Sequence, residues 1–508
     1  MAGIAQTFFA QARRNPDKVA LWCEGTSMTY GELADLVSRW SGLMAAEGVR
    51  CGDHVGVFLP NTIEFVALML VAADLGAVLV PLNTSLPEAA VRRAFAASDV
   101  RHLVGSAATL EPLAPALAAE GGLAAGLCLS VDQAVPGTVC LRERLAAYPP
   151  GGPRSAAVPD EAPFILTMTS GSTGDPKPII LTQRTKINRA AAAVQLYGVS
   201  EHDRTLAATP LYHSLAERLV LIPLLTGGTS VLLARFSPSE WLRCVSEQSV
   251  SFTIAVSSQL RQIAEQLAAG GAPRLDSLRC VVSSSALLES QLKADLLDRL
   301  HCEFHECYGT SEIAIATNLG PAAARRKLQS VGTAAPGVDV RILRDDGQPA
   351  APGEPGEIVC RTPMAFGGYY KRPELTRQAM WGEYFRTGDA GKLDAEGFLY
   401  FLGRQKDIII TGGINVYPAD IEAVIKQHPA VRECAAFALP DERLGEVVAV
   451  AIVPVAPGPV DQRALRFLCA RQLADFQQPR RYFVLDQLPK NAMGKLVKRE
   501  LVRQCAGA

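Results

Sequence analysis

Over residues 1 to about 400, short apolar runs alternate with stretches of helical spacing. Val55 to Leu59, Ala77 to Leu82, His102 to Gly105, Phe164 to Thr169, Ser230 to Ala234, Phe252 to Val256 and Cys280 to Ser283 read as strands, and Pro87 to Ala97 as a helix. This alternation restricts the chain to an α/β architecture with mostly parallel sheets. From Val338 to Tyr400 short alternating runs are separated by Asp-Gly, Pro-Gly and Glu-Gly turns, which predicts a β-rich subdomain over about 338–400. Beyond Gly403-Arg404-Gln405-Lys406-Asp407 come Ile408 to Ile410, then Gly412-Gly413, and then a helix from about Pro418. Pro418 suits a first helical turn, and Asp420 and Glu422 complement its dipole. At 508 residues the chain exceeds one ordinary core. The expected layout is a large domain over 1–404 and a small, mobile α+β domain over 405–508, with the Ala/Pro/Gly-rich stretch from Leu110 to Ala157 on the surface.

The formal net charge of −1 supplies no general attraction for nucleic acid or anionic lipid, so neither is expected as a partner. The longest apolar stretches are broken by Asp74 in Phe65 to Leu82, and by Pro223 and Gly227-Gly228 in Leu219 to Ala234, so no membrane span is expected. No basic segment leads into an apolar run and a small-residue cleavage site, which makes a cytoplasmic enzyme the expectation. The 12 cysteines lack C-x-x-C spacing and point to reduced thiols. His301, Cys302, His305 and Cys307 form one tempting ligand cluster, but strand alternation would send His301 and Cys302 to opposite faces.

Thr169-Ser170-Gly171-Ser172-Thr173-Gly174-Asp175-Pro176-Lys177 follows the apolar run Pro163 to Met168. Glycines let backbone N–H groups approach phosphate oxygens, Ser and Thr add hydroxyl donors, and Lys177 adds a mobile cation. The G-x-x-x-x-G-K-[ST] spacing of a Walker loop is absent. Taken alone the stretch is also ordinary turn material; as a phosphate loop it points to ATP.

Further signatures follow in order: Pro210-Leu211-Tyr212-His213, Tyr308-Gly309-Thr310-Ser311-Glu312, Tyr384-Phe385-Arg386-Thr387-Gly388-Asp389, Gly403-Arg404-Gln405-Lys406-Asp407 with Gly412-Gly413, and Pro489-Lys490-Asn491-Ala492-Met493-Gly494-Lys495. Over nearly its whole length the chain thus resembles the adenylate-forming superfamily of acyl-CoA synthetases, nonribosomal peptide adenylation domains and luciferases. The chemistry is coherent, because joining a carboxylate to a triphosphate requires cations and oriented donors around developing negative charge.

The resemblance implies that Lys177 and Lys495 supply cations and that Lys495 bridges the carboxylate and the α-phosphate. It implies that Glu312 holds Mg2+, with Ser311 where the family commonly has Thr, and that Thr310 and Gly309 lie on the same nucleotide loop. Asp389 would accept the ribose hydroxyls with Arg404 nearby, and Tyr308 would stack on adenine. Ser284-Ser285-Ala286 would border the adenine and acyl pocket, where small glycines are the usual occupants. Lys406 would be the hinge.

The closest pattern is that of benzoate-type, chlorobenzoate-like CoA ligases, which implies thioesterification of the acyl-adenylate. Gly412 and Gly413 would admit a pantetheine arm, and Phe476 and Arg480 would hold the CoA nucleotide, although Gln478 replaces a cation and Leu444 a stacking Trp. A carrier protein in trans or a non-thiol acceptor stays open, and the protein is expected as a monomer or homodimer. His213, Ser283, Ser284 and Gly309 would line an acyl pocket suited to a compact aryl or short-chain acid. Glu217 and Arg218 fall where the benzoate-type pattern is apolar. They either recognise a polar substituent or pair with each other outside the pocket, and pairing is favoured because charged side chains avoid burial.

Overall fold

The computed structural model describes residues 3–118, 126–151, 158–170, 176–456, 458, 460–491 and 495–506. Two large sheets carry the N-terminal part. One has nine strands, whose centre, from Val19–Cys23 through Thr229–Leu232, Arg204–Ala207, Phe252–Val256 and Cys280–Ser284 to Glu303–Tyr308, is parallel throughout. The other has seven, parallel apart from the hairpin of Pro163–Ser170 with Pro176–Thr182. The α/β expectation is met. The Leu110 to Ala157 stretch departs from its surface reading, since Cys128–Ser130 and Val139–Cys140 add two strands to the edge of the seven-stranded sheet.

The helix Ile63–Leu75 shows why the core sits between these sheets. Every residue from Phe65 to Asp74 is buried, so the helix has no solvent face and must be enclosed on all sides. The Thr62 hydroxyl accepts from the Phe65 N–H at its start, and Gly76 ends it at φ +71°, a left-handed conformation that suits glycine.

A five-stranded antiparallel sheet follows, built from Asp339–Leu343, Gly356–Arg361, Met380–Trp381, Tyr384–Leu393 and Leu399–Arg404. It extends the expected β-rich region by one short run, to Arg404. After the 3-10 turn Gln405–Asp407, a second five-stranded sheet with helices Pro418–Ile425, Gln462–Gln472 and Lys498–Ala506 forms the C-terminal region. Lys426 of this region pairs with Glu289 at 2.7 Å, which ties it to the large sheets.

Candidate active site

Parallel strands place ligands beyond their carboxyl ends. Here Ser284 and Tyr308 are the last residues of neighbouring strands. Just past them opens a cavity of about 650 Å³. Lys177 enters its wall from the hairpin, His213 and Arg218 from the start of the helix Ser214–Thr226, and Thr387, Gly388, Arg404 and Lys406 from the antiparallel sheet and its exit. Asn491 and Lys495 come from the C-terminal region.

The loop Gly309 to Glu312 is built to one geometry. A carbon added at Gly309 would stand 1.8 Å from the Ala314 carbonyl oxygen, so no side chain fits. The Arg189 guanidinium donates to the carbonyls of Ser311 (2.9 Å), Glu312 (3.2 Å) and Met364 (3.1 Å) and to the Ser214 hydroxyl (2.9 Å). The Tyr369 hydroxyl donates to Glu312 Oε1 at 3.2 Å, which leaves the carboxylate facing the cavity. Among the described residues Thr310 Oγ1 is buried without a hydrogen-bond partner. Ser285 and Ala314, both on the cavity wall, hold φ +76° and +60°, a strained region for non-glycine residues that concentrates at functional sites.

On the antiparallel sheet Asp389 stands opposite Arg404 in register. Its carboxylate pairs with Arg404 Nε at 2.7 Å and accepts from the Tyr308 hydroxyl at 2.7 Å. Burial pushes the Asp389 carboxyl up, with Arg404 and Tyr308 acting against it. Lys495 keeps surface exposure at the cavity mouth, yet desolvation and then the Arg404 guanidinium hold its ammonium below the usual lysine range, against Asp389 and Glu312. His213 feels both burial and the Lys495 charge, which bring its pKa down to about 4. Its ring is therefore expected neutral at pH 7, with the NMR titration of His213 centred near 4. In Lys495→Ala that midpoint moves up. An unchanged midpoint would mean that Lys495 does not visit His213 in solution.

Several expected site residues lie elsewhere. Ser283 is fully buried and Ala286 is exposed, its carbonyl accepting from Ser257 at 2.6 Å, so neither lines the cavity. Strand alternation sends Ser283 to the opposite side from Ser284. The Tyr308 ring lies among Ile313, Ala316 and Phe385, and its hydroxyl donates to Asp389. Gly412, Gly413, Phe476 and Arg480 are exposed in the C-terminal region, away from the cavity. Thr169 and Ser170 end a strand, with Thr169 opposite Lys177; Gly171, Ser172, Thr173 and Gly174 lie outside the described residues.

The favoured pairing of Glu217 with Arg218 is corrected. Glu217 pairs with Lys186, both fully buried, and Arg218 turns to the cavity wall. The reason is helical geometry, since adjacent residues on a helix do not face each other. Lys186, Arg189 and Tyr369 were not singled out from the sequence. Two cations three apart on the Ala-rich helix Gln183–Tyr197 were the available signal for the first two. As for the cysteine–histidine stretch, the residues that converge are Cys280, Glu303 and His305, with ligand atoms within 4.8 Å, while burial drives the Cys280 thiol strongly toward its protonated form.

Residues 8–370 match the AMP-binding enzyme family, and residues 420–495 match the AMP-binding enzyme C-terminal domain. The chain belongs to the AMP-binding enzymes. Among relatives of this AMP-binding enzyme, a feruloyl-CoA synthase of an Amycolatopsis species is 32% identical over 99% of both chains. The o-succinylbenzoate CoA synthetase of Bacillus subtilis, solved with an acyl-adenylate, superposes with a TM-score of 0.83 at 28% identity over 97% of each chain. The amide bond synthetase McbA of Marinactinospora thermotolerans gives 0.88 at 29% identity over 98% of this chain and 99% of its own. No helix among the described residues of this AMP-binding enzyme is long and apolar enough to cross a membrane.

Proposed function

We propose that the chain is an ATP-dependent carboxylate:CoA ligase. A carboxylate oxygen attacks the α-phosphorus of ATP and pyrophosphate leaves; the CoA sulfur then attacks the acyl carbonyl and AMP leaves. The observation that carries this reading is the entry of Lys495 from the C-terminal region into the cavity that already holds Lys177, Glu312 and Arg404. Three cations and one carboxylate around a common space suit a triphosphate meeting a second anion. Lys495 orients the reacting carboxylate, Lys177 and the unpartnered Thr310 hydroxyl face phosphate, and the Asp389–Arg404 pair receives the ribose.

Glu312 would hold Mg2+. Its carboxylate faces the cavity with Tyr369, among the described residues, as its one hydrogen-bonding side chain, and hard oxygen ligands suit that ion. When bound, the ion supplies charge neutralisation at the phosphates.

CoA is the preferred acceptor because the relatives that are at least 30% identical over nearly the whole chain carry CoA-ligase names. For the second reaction, Lys406 serves as the hinge between domains of 1–404 and 405–508 and brings the exposed Gly412-Gly413 turn toward the cavity. A non-thiol or carrier-bound acceptor is the second reading, favoured by Leu444 and Gln478 and by the likeness to an amide bond synthetase. We infer a monomer or homodimer with a cytoplasmic location, the location supported by cysteines that are all free.

Mass-spectrometric product analysis with ATP, Mg2+ and an acid panel, with and without CoA, tests the reading. Acyl-CoA with AMP is expected. Acyl-adenylate accumulating equally in both arms transfers the function to another acceptor. Asp389→Ala is expected to raise the KM for ATP by about 10–100-fold, the worth of a charge-assisted hydrogen bond, in steady-state assays at saturating acid. An unchanged KM would remove Asp389 from the ribose.

A further inference from the structure

The cations around the cavity differ in how they are employed. Arg404 pairs with Asp389, Arg189 spends its donors on three backbone carbonyls and a hydroxyl, and Lys186 is matched with Glu217. Arg218 has no such partner among the described residues. It is 6% exposed, its Nε is buried without an acceptor, and no carboxylate among the described residues forms an ion pair with its guanidinium. A guanidinium carries five donors, cannot shed its charge, and is costly to bury unmatched. Its neighbourhood is already cation-rich: after burial, the charges of Arg189 and Arg218 both work against the Lys186 ammonium, whose counter-charge is Glu217, while Arg189 feels both Glu217 and Glu312. Yet Arg218 lines the same cavity as His213, Ser284 and Lys495.

We propose that the acid activated here is a dicarboxylic acid, its second carboxylate bound by Arg218 while the first meets Lys495. The inference rests on the adenylation reading above. Planar carboxylate oxygens match the guanidinium fork, an arrangement that Lys reproduces poorly. The second carboxylate supplies the missing acceptor and balances the cation excess, and it selects against monoacids because these leave the buried guanidinium unpaired.

The test uses matched pairs of acids: benzoate with the three benzenedicarboxylates, and butyrate and valerate with succinate and glutarate. Acid-dependent ATP–pyrophosphate exchange on the full chain should favour at least one diacid over its monoacid by on the order of 10²-fold in kcat/KM. Arg218→Met should abolish that preference, and Arg218→Lys should restore part of it. Thermal unfolding of the same three proteins gives a readout independent of turnover. The preferred diacid should raise the Tm of the native chain and not that of Arg218→Met, whose own unliganded Tm should be at or above the native value because an unmatched buried charge has been removed. Exchange with no acid, accompanied by Arg218-dependent protection by a diacid, would reject the adenylation reading and keep the Arg218 assignment. Equal or better use of monoacids, or protection by diacids that survives in Arg218→Met, overturns the assignment. So does protection by neither class.

Discussion

Lys495→Ala slows adenylate formation by about 10²–10³-fold and leaves thioester formation from supplied acyl-adenylate near the native rate. The expectation follows from where the ammonium sits. It comes from the C-terminal region, far along the chain from the other groups, and feels Asp389, Glu312, Arg404 and His213 at once. A cation delivered in this way can meet the carboxylate and the α-phosphate during the first reaction and be absent from the second. Pyrophosphate exchange reports the first half, and rapid-quench conversion of synthetic acyl-adenylate with CoA reports the second. Equal loss in both halves would show that Lys495 holds the site together instead of serving one step.

Glu217→Gln is expected to lower the unfolding free energy by about 3–5 kcal/mol, seen as a lower denaturant midpoint at unchanged m. Lys186 and Glu217 are 1% and 0% exposed, on the helices Gln183–Tyr197 and Ser214–Thr226. Removing the carboxylate's charge strands Lys186, without its ion-pair partner, beside the buried cations Arg189 and Arg218. Lys186→Met combined with Glu217→Leu should recover most of the loss, because apolar replacement of both partners ends the desolvation cost of each. A shift of the midpoint equivalent to less than about 0.5 kcal/mol in Glu217→Gln, the usual range of a surface change, would mean that the pair is solvated in solution.

The α/β alternation and the order of signatures were legible in the chain because each is local. A strand run, a glycine turn or a Gly-Lys pair can be recognised within about ten residues. What joins distant segments was not. Glu217 and Arg218 are neighbours in sequence, and their partners are set by a helix 31 residues upstream for Glu217 and by the cavity for Arg218. The Tyr308 hydroxyl finds Asp389 81 residues away, a support for a carboxylate that the motif around the aromatic does not reveal. Arg189 is not legible for the same reason, since its role consists of carbonyls more than 120 residues downstream in three of its contacts. Period-2 alternation alone separates Ser283 from Ser284 once the strand runs to Ser284.

The crowding at Gly309 divides the cavity wall in evolutionary terms. Every alternative residue there adds an atom 1.8 Å from a backbone oxygen, so no single substitution at that position can be sampled without rebuilding the loop. Selection for a new acid must instead act on replaceable side chains such as His213, Arg218 and Ser284. Lineages that diverge in substrate would then differ at these positions while sharing the same glycine, and the loop would record ancestry where the helix records diet.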